Sequence, residues 1–437
     1  MHTLARPNTP MTSFRYSRLL APRLLPILSF CMIVSFALAQ PKVDKGYLDA
    51  RHIDLSSEKI ALEGAWVWYD NQLLSPSQLA KGKSEYVDFP KVWNEVRKSK
   101  SGQGFATYLV TIVLPVSPSR LAITMPETYT SYRLWANGKV IAENGHVGKN
   151  KDASKPHWEV KKVSFDRPGD TLQLVLQISN FHHAKGGMKN HITLGESQLM
   201  TDAFEMTQTS TWIECSALAL MSLAFLIMYL VLGIKKVVLY FSMLCLTWAV
   251  RALFSNNYVF APYFPDFDWI LLVRIEYLTL YLTMVWCALF VSRLFPNEQN
   301  KIIKYVLVSF NGVFAGLTLV TTPLAFTQWL NIYLIIAGAL MLYAATIIFR
   351  ALINERSGSA FLTLCIMLSM LLFAYDIFTY EGFFPYIPLV LSLGYIVMFI
   401  LMALALLLHI NVITGKPQQT TLLRYEDLYK DDTYRVK

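Results

Sequence analysis

The stretch between the N-terminal leader and the first long apolar run contains no cysteine. Of the chain's five, Cys31 lies in the leader and Cys215, Cys245, Cys287 and Cys365 lie in apolar runs. Residues 40–202 therefore have neither a disulfide nor a cysteine-type zinc site to hold them, and the four cysteines in the runs read as small packing residues. Charge is also scarce, at 16% of 437 residues against 54% hydrophobic, a balance that burial in lipid explains. The formal net charge of +9 lies largely in the leader and in loops between apolar runs, so it does not point to nucleic acid. Catalytic signatures are missing as well: there is no His-Glu-x-x-His and no Gly-x-Ser-x-Gly. Glu58, Glu63, Glu85, Asp88, Glu127, Glu143 and Glu159 are dispersed, and sequence alone sets no pair of them at a glycosidase separation. The chain reads as a non-enzyme without a cofactor.

What is present is a series of seven apolar runs, at 211–232, 237–254, 269–290, 305–322, 329–349, 360–380 and 387–412. A helix that crosses hydrocarbon needs about 20 apolar residues, because only internal hydrogen bonds can satisfy its backbone there. Lys235 and Lys236 follow the first run, Arg293, Lys301 and Lys304 the third, and Arg350 and Arg356 the fifth. The alternate loops, 255–268, 323–328 and 381–386, have no Lys or Arg. Basic loops favour the cytoplasm, which sets the segment before the first run outside and the C-terminus inside, as in a multi-pass protein of a bacterial inner membrane.

Residues 1–39 have the form of a secretory signal, with Arg6, Arg15, Arg18 and Arg23 before an apolar core and Ala37-Leu38-Ala39 at its end. Cleavage after Ala39 is expected, with a retained anchor as the open alternative. Residues 40–205 have the composition of one soluble domain. Alternation at 107–114 and 171–178 predicts half-buried strands, and Asn137-Gly138 between two short apolar stretches predicts a hairpin. The expected fold is an all-β antiparallel sandwich followed, over 206–412, by an α-helical bundle of seven transmembrane helices.

Gly64-Ala65-Trp66-Val67-Trp68-Tyr69, Gly104-Phe105-Ala106-Thr107-Tyr108, Tyr132-Arg133-Leu134-Trp135-Ala136-Asn137-Gly138 and Ile178-Ser179-Asn180-Phe181-His182-His183 carry a family resemblance. Together they resemble the jelly-roll sensor of bacterial seven-transmembrane receptors with diverse intracellular signalling modules. The order of leader, sensor and seven crossings is similar to that family's layout. The resemblance implies an outward sensor for a small ligand of carbohydrate type, because the jelly roll is similar in turn to the sugar-binding module of family 2 glycoside hydrolases. It also implies a cytoplasmic kinase, cyclase or phosphatase partner. The family usually carries that effector in the same chain, whereas residues 413–437 here are too few for a catalytic fold. Leu422, Leu423, Tyr425, Leu428 and Tyr429 give this tail one weakly amphipathic face, which leaves docking, linkage or disorder open.

Trp66, Trp68, Trp93, Trp135 and Trp158 are the aromatic candidates for stacking on a sugar ring. Trp66 and Trp68 share one strand face and read as core. Trp93 and Trp158, in loop-like contexts, are the expected ligand contacts, joined by Arg133 and by His182 and His183 in a loop with Gly186-Gly187. His182, His183 and His191 lack the accompanying carboxylates or cysteines of a metal site. Within the runs, Glu214, Arg251, Arg274, Glu276 and Asp376 all fall toward the outer end, where charged groups of opposite sign on different helices offset one another's desolvation. Arg251 with Glu276 or Asp376 is the expected pairing. The function read from these features is a cell-envelope receptor that passes ligand occupancy inward. The alternative is a transporter or membrane enzyme with a carbohydrate-binding accessory domain, which the absence of an internal repeat disfavours.

Overall fold

The computed structural model describes residues 41–233, 235–380 and 387–410. The expected leader, 1–39, and tail, 413–437, lie outside the described residues. The chain divides into two units, 39–372 with 387–437, and 1–38 with 373–386. The first holds everything discussed below except the C-terminal part of the sixth long helix.

Eleven strands build the N-terminal domain. They are β1 (Tyr47–Asp49), β2 (Ile60–Ala61), β3 (Gly64–Asp70), β4 (Glu85–Phe89), β5 (Gly104–Val113), β6 (Arg120–Met125), β7 (Ser131–Ala136), β8 (Lys139–Asn144), β9 (Lys161–Asp166), β10 (Thr171–Asn180) and β11 (Thr193–Glu196). One sheet has the order β4-β3-β5-β10-β7-β8, with β1 parallel to the end of β5, and the second has the order β2-β11-β6-β9. All other pairings are antiparallel. The two expected strands are the long central pair, in register from Thr171 opposite Val113 to Asn180 opposite Gly104. Alternation along them buries Tyr108, Val110, Ile112, Leu174 and Leu176 against Leu121, Ile123 and Leu194 of the second sheet. The Asn137-Gly138 turn has φ of 45° and 82°, the positive pair that a two-residue hairpin requires.

Seven long helices follow: α1 (Ser197–Leu232), α2 (Lys236–Phe254), α3 (Trp269–Leu294), α4 (Lys301–Val320), α5 (Leu330–Ile353), α6 (Ser359–Tyr380) and α7 (Pro388–His409). All seven are long and apolar enough to cross a bilayer, which makes this a multi-pass membrane protein. Large apolar side chains such as Leu230, Val313, Ile335 and Phe373 remain exposed on them, as lipid-facing residues do.

One boundary differs from the sequence expectation in an informative way. Strand β11 ends at Glu196 and α1 begins at Ser197, so the expected division at 205/206 falls inside a helix. At about 1.5 Å per residue the 36 residues of α1 extend roughly 54 Å, against about 30 Å of hydrocarbon. The surplus packs on the second sheet. Lys162 Nζ donates to Thr201 Oγ1 at 2.6 Å, and Ser197 Oγ donates to Ser164 Oγ at 2.8 Å. Hydropathy could not reveal this part of the helix, because its polar residues belong to a surface that a sheet covers.

Candidate functional site between the sandwich and the helices

Three loops of the sandwich meet the ends of the helices. They connect β6 to β7 (126–130), β8 to β9 (145–160) and β10 to β11 (181–192). The last is organised by Asn180, which is fully buried. Its Oδ1 accepts the backbone N–H of His182 at 3.2 Å and of His183 at 3.0 Å, while Nδ2 donates to the carbonyls of Gly102, His183 and Lys185 at 2.7, 2.8 and 2.9 Å. One amide thus satisfies five backbone groups that no sheet ladder reaches. Gly186 and Gly187 pack against Trp93, where a Cβ on Gly187 would lie 2.9 Å from the ring.

Trp158 is the point of closest engagement. Its indole N–H donates to the Tyr129 carbonyl at 2.9 Å, and its ring is 6.0 Å from His183, 5.1 Å from Tyr258 and 5.6 Å from Trp269. The first two partners belong to the sandwich and the last two to the α2–α3 loop and the start of α3. Edge-on and tilted contacts of this kind suit the ring quadrupole. Tyr129 stacks on His183 at 4.8 Å, and burial pushes the His183 imidazole down to about 4, so it stays neutral. His182 lies 6.2 Å from Trp269, and its Nε2 faces the carbonyls of Ser154 at 3.0 Å and Lys151 at 3.2 Å. Both neighbours are acceptors, so Nε2 carries the proton. The Ala184 N–H donates to Thr327 Oγ1 at 3.0 Å, tying the same loop to the short helix Pro323–Thr327.

A carboxyl group from each side completes the junction. Glu127 Oε1 accepts from Asn190 Nδ2 at 3.0 Å. Burial, together with the negative charge of Glu276, pushes the Glu127 carboxyl up to about 7. Glu276 Oε2 accepts from the Tyr258 hydroxyl at 3.5 Å. Arg251 reaches the same turn of α3, but its Nη1 donates to the Glu276 backbone carbonyl at 3.0 Å rather than to the carboxylate.

The expected ligand contacts are dispersed. Trp93 is fully buried, opening the helical turn Trp93–Val96 rather than a loop. Its indole N–H donates to the Tyr108 hydroxyl at 2.6 Å, and the Arg97 guanidinium covers one ring face at 4.1 Å. Trp158 is 3% exposed. Both rings were expected to stack on a ligand, yet neither presents an open face, because each plugs a hydrophobic gap. Arg133 lies on the outer face of the large sheet, half-buried and paired with Glu143. His182 and His183 follow β10 in irregular chain rather than on a strand, and both join the junction. Among the described residues no group of three His, Cys, Asp or Glu side chains is placed to hold a metal ion.

Glu214, Arg251, Arg274 and Glu276 do not form one cluster. Glu214 is buried among neutral donors from two other helices, Trp248 Nε1 at 3.0 Å and Ser392 Oγ at 2.9 Å. Arg274 points the other way from Glu276, as their spacing predicts, and donates to the Thr321 carbonyl at 3.2 Å. Asp376 lies on α6 in the second unit. Sequence reasoning passed over Glu127, Tyr129, Tyr258 and Trp269, which lie up to 142 positions apart and share no local pattern.

Three comparisons place these features among known proteins. Residues 210–408 match the family model described as 7TM diverse intracellular signalling. No curated protein matches the sequence. Among solved structures, similarity is found to a GH2 β-galacturonidase from Eisenbergiella tayi bound to glycerol, with 12% identity over 32% of this chain and 24% of that one and a TM-score of 0.25. A Faecalibacterium prausnitzii β-glucuronidase shows 15% identity over 31% of each chain and a TM-score of 0.24. A putative β-galactosidase from Bacteroides fragilis shows 15% identity over 31% of this chain and 23% of that one, with a TM-score of 0.24. This chain spans less than a third of the length of each of them. A likeness of this size says nothing of activity.

Proposed function

We propose that the chain is a cell-envelope receptor, a reading supported by the match of residues 210–408 to the family model described as 7TM diverse intracellular signalling. In this reading the sandwich is periplasmic, the helices lie in a bacterial inner membrane, and the C-terminus is cytoplasmic. The loop charges support that orientation: Lys235, Lys236, Arg293, Lys301, Lys304, Arg350 and Arg356 all lie at the ends of helices opposite the sandwich. The observation that carries the signalling reading is the unbroken passage from β11 into α1, with the Trp158 contact beside it. A sheet that shifts on ligand binding moves a spanning helix directly, without a flexible linker to absorb the displacement.

The ligand in this proposal is a small molecule of carbohydrate type, and the receiver is a cytoplasmic signalling module of kinase, cyclase or phosphatase type. The motif resemblance of the sandwich supports the first part. Arg133 and His182 keep partial exposure and are the proposed polar contacts, whereas Trp93 and Trp158 are not. A ligand shifts the bundle only through unequal affinity for its two arrangements. The test is hydrogen exchange on the full chain in nanodiscs with a saccharide panel. Joint protection of the sandwich loops, the last turn of α2 and the first turn of α3 is expected for a binding sugar. Protection confined to the sandwich would remove the relay, and no binding across the panel would remove the carbohydrate.

A further inference from the structure

The end of the helical domain away from the sandwich holds a cleft that the signalling reading does not use. Its volume is about 680 Å³, within the range of about 300–1,000 Å³ typical of small-molecule sites. The loop between α3 and α4 forms one wall and the C-terminal half of α5 the other. Asn300 fixes the loop, because its Oδ1 accepts the Ile302 N–H at 2.8 Å to cap α4 while its own N–H donates to the Tyr343 hydroxyl at 2.8 Å. Beside it, the buried Glu298 accepts from Arg356 Nε at 2.6 Å.

The lining selects for charge, for a hydroxyl and for apolar chains. Lys301 and Arg350 line the cleft and Lys304 its inner extension, whereas the Glu298 carboxylate is already matched by Arg356. Among the described residues neither Lys301 nor Arg350 has a carboxylate partner, so the cleft attracts an anion. Gln299 Nε2 donates to the Ser292 carbonyl at 3.0 Å, which fixes the orientation of its amide. Its buried Oε1 has no hydrogen-bond partner among the described residues and suits a donor such as a hydroxyl. Ile302, Tyr305 and Val306 on α4, with Phe349 and Ile353 on α5, are exposed at the same level, as surfaces against lipid are. Tyr343 and Arg350 stand two turns apart on α5, about 10 Å, so the cleft leads from the polar helix end toward the apolar level. An anionic head with apolar chains matches all of this, and a soluble phosphate only the first part.

We propose that the cleft binds the head group of an anionic phospholipid of phosphoglycerol type, with Lys301 and Arg350 at the phosphate and Gln299 accepting from a hydroxyl. Basic pockets between helices at the cytoplasmic face suit such head groups. Assignment to the inner leaflet rests on the receptor reading, whereas the binding chemistry does not. The site adjoins the end of α7, since Ser357, next to the Arg356 that holds Glu298, donates from Oγ to the Leu408 carbonyl at 3.1 Å.

The test is native mass spectrometry of the full chain in detergent micelles titrated with single lipids. One saturable phosphatidylglycerol adduct is expected, at least about tenfold tighter than any with phosphatidylcholine. Phosphatidylmethanol, equal in charge but without the hydroxyls, should bind more weakly than phosphatidylglycerol. Lys301→Gln with Arg350→Gln removes two cations worth roughly fivefold each and should weaken the adduct about 30-fold. Lys301→Arg with Arg350→Lys keeps both charges and should retain it. Lys235→Gln with Lys236→Gln, on the same side of the bundle but between α1 and α2, should leave it unchanged. An equal loss in the two glutamine pairs would show diffuse surface charge and overturn the site. Equal affinity for phosphatidylmethanol overturns the hydroxyl contact, and displacement of the adduct by inorganic phosphate or glycerol phosphate overturns the lipid in favour of a soluble occupant. These adducts form without sugar or effector, so their failure is distinguishable from failure of the receptor reading, which the hydrogen-exchange experiment tests.

Discussion

Truncating Trp158 should uncouple the sandwich from the helices while leaving the sandwich folded. The ring is 3% exposed, with Tyr129 and His183 on its own domain and Tyr258 and Trp269 across the junction. A buried tryptophan removes about 150–250 Å² from water. With roughly half of that facing the helices, about 100 Å² at about 25 cal/mol per Å² gives about 2.5 kcal/mol of junction stability. Trp158→Ala should therefore increase the opening equilibrium by about 70-fold. Native-state hydrogen exchange on the full chain reads this directly. Amides in 181–187 and 256–263 should lose protection by about that factor, whereas those of Leu174 and Leu176 in the central strand should change several-fold at most. Trp158→Phe keeps much of the ring contact but not the bond to the Tyr129 carbonyl, and should fall between the two. The reasoning is refuted if protection is lost evenly through the sandwich, because Trp158 is then a core residue of its own domain. Unchanged protection in 256–263 refutes it equally.

Arg97 is 7% exposed, bonds Asp70 and the carbonyls of Gln103 and Phe105, and lies over the Trp93 ring. Arg97→Ala strands a carboxylate and two carbonyls, so a loss of about 3–5 kcal/mol is expected in the thermal melt of the sandwich. Arg97→Lys should recover little of it, because an ammonium cannot reproduce the planar fork. In the membrane, Glu214→Gln preserves an acceptor for the Trp248 N–H and should cost about 1 kcal/mol or less, whereas Glu214→Leu leaves that N–H and the Ser392 hydroxyl unmatched at about 1–3 kcal/mol. Unfolding in nanodiscs followed by tryptophan emission separates the two, and equal losses would show that Glu214 acts by shape alone.

Elements set by local pattern were legible before any coordinates. Period-two alternation gave the central pair β5 and β10, Asn137-Gly138 gave the hairpin, and unbroken apolar length gave seven helices, close to their observed bounds except at the start of α1. Each depends on residues within a few positions of one another, and the chain carries that information directly. The opposite directions of Arg274 and Glu276 were legible for the same reason, since helical spacing fixes them.

The roles of side chains could not be read in this way. Composition alone makes Trp93 and Trp158 look like a sugar platform, since an aromatic residue in irregular chain looks the same whether it awaits a ligand or fills a gap. Only the approach of Arg97 to one ring and of Tyr258 and Trp269 to the other decides. The start of α1 was hidden because polar residues that pack on a sheet dilute hydropathy. Glu127, one carboxylate among many in the sequence, acquires its character from burial at the interface, to which Glu276, 149 positions away in the chain, adds its charge. The sequence by itself determined the elements and their membrane setting, because these depend on short-range periodicity and solvent preference. Tertiary structure alone decided which groups meet between the sandwich and the helices, because burial and electrostatic coupling depend on distance in space rather than along the chain.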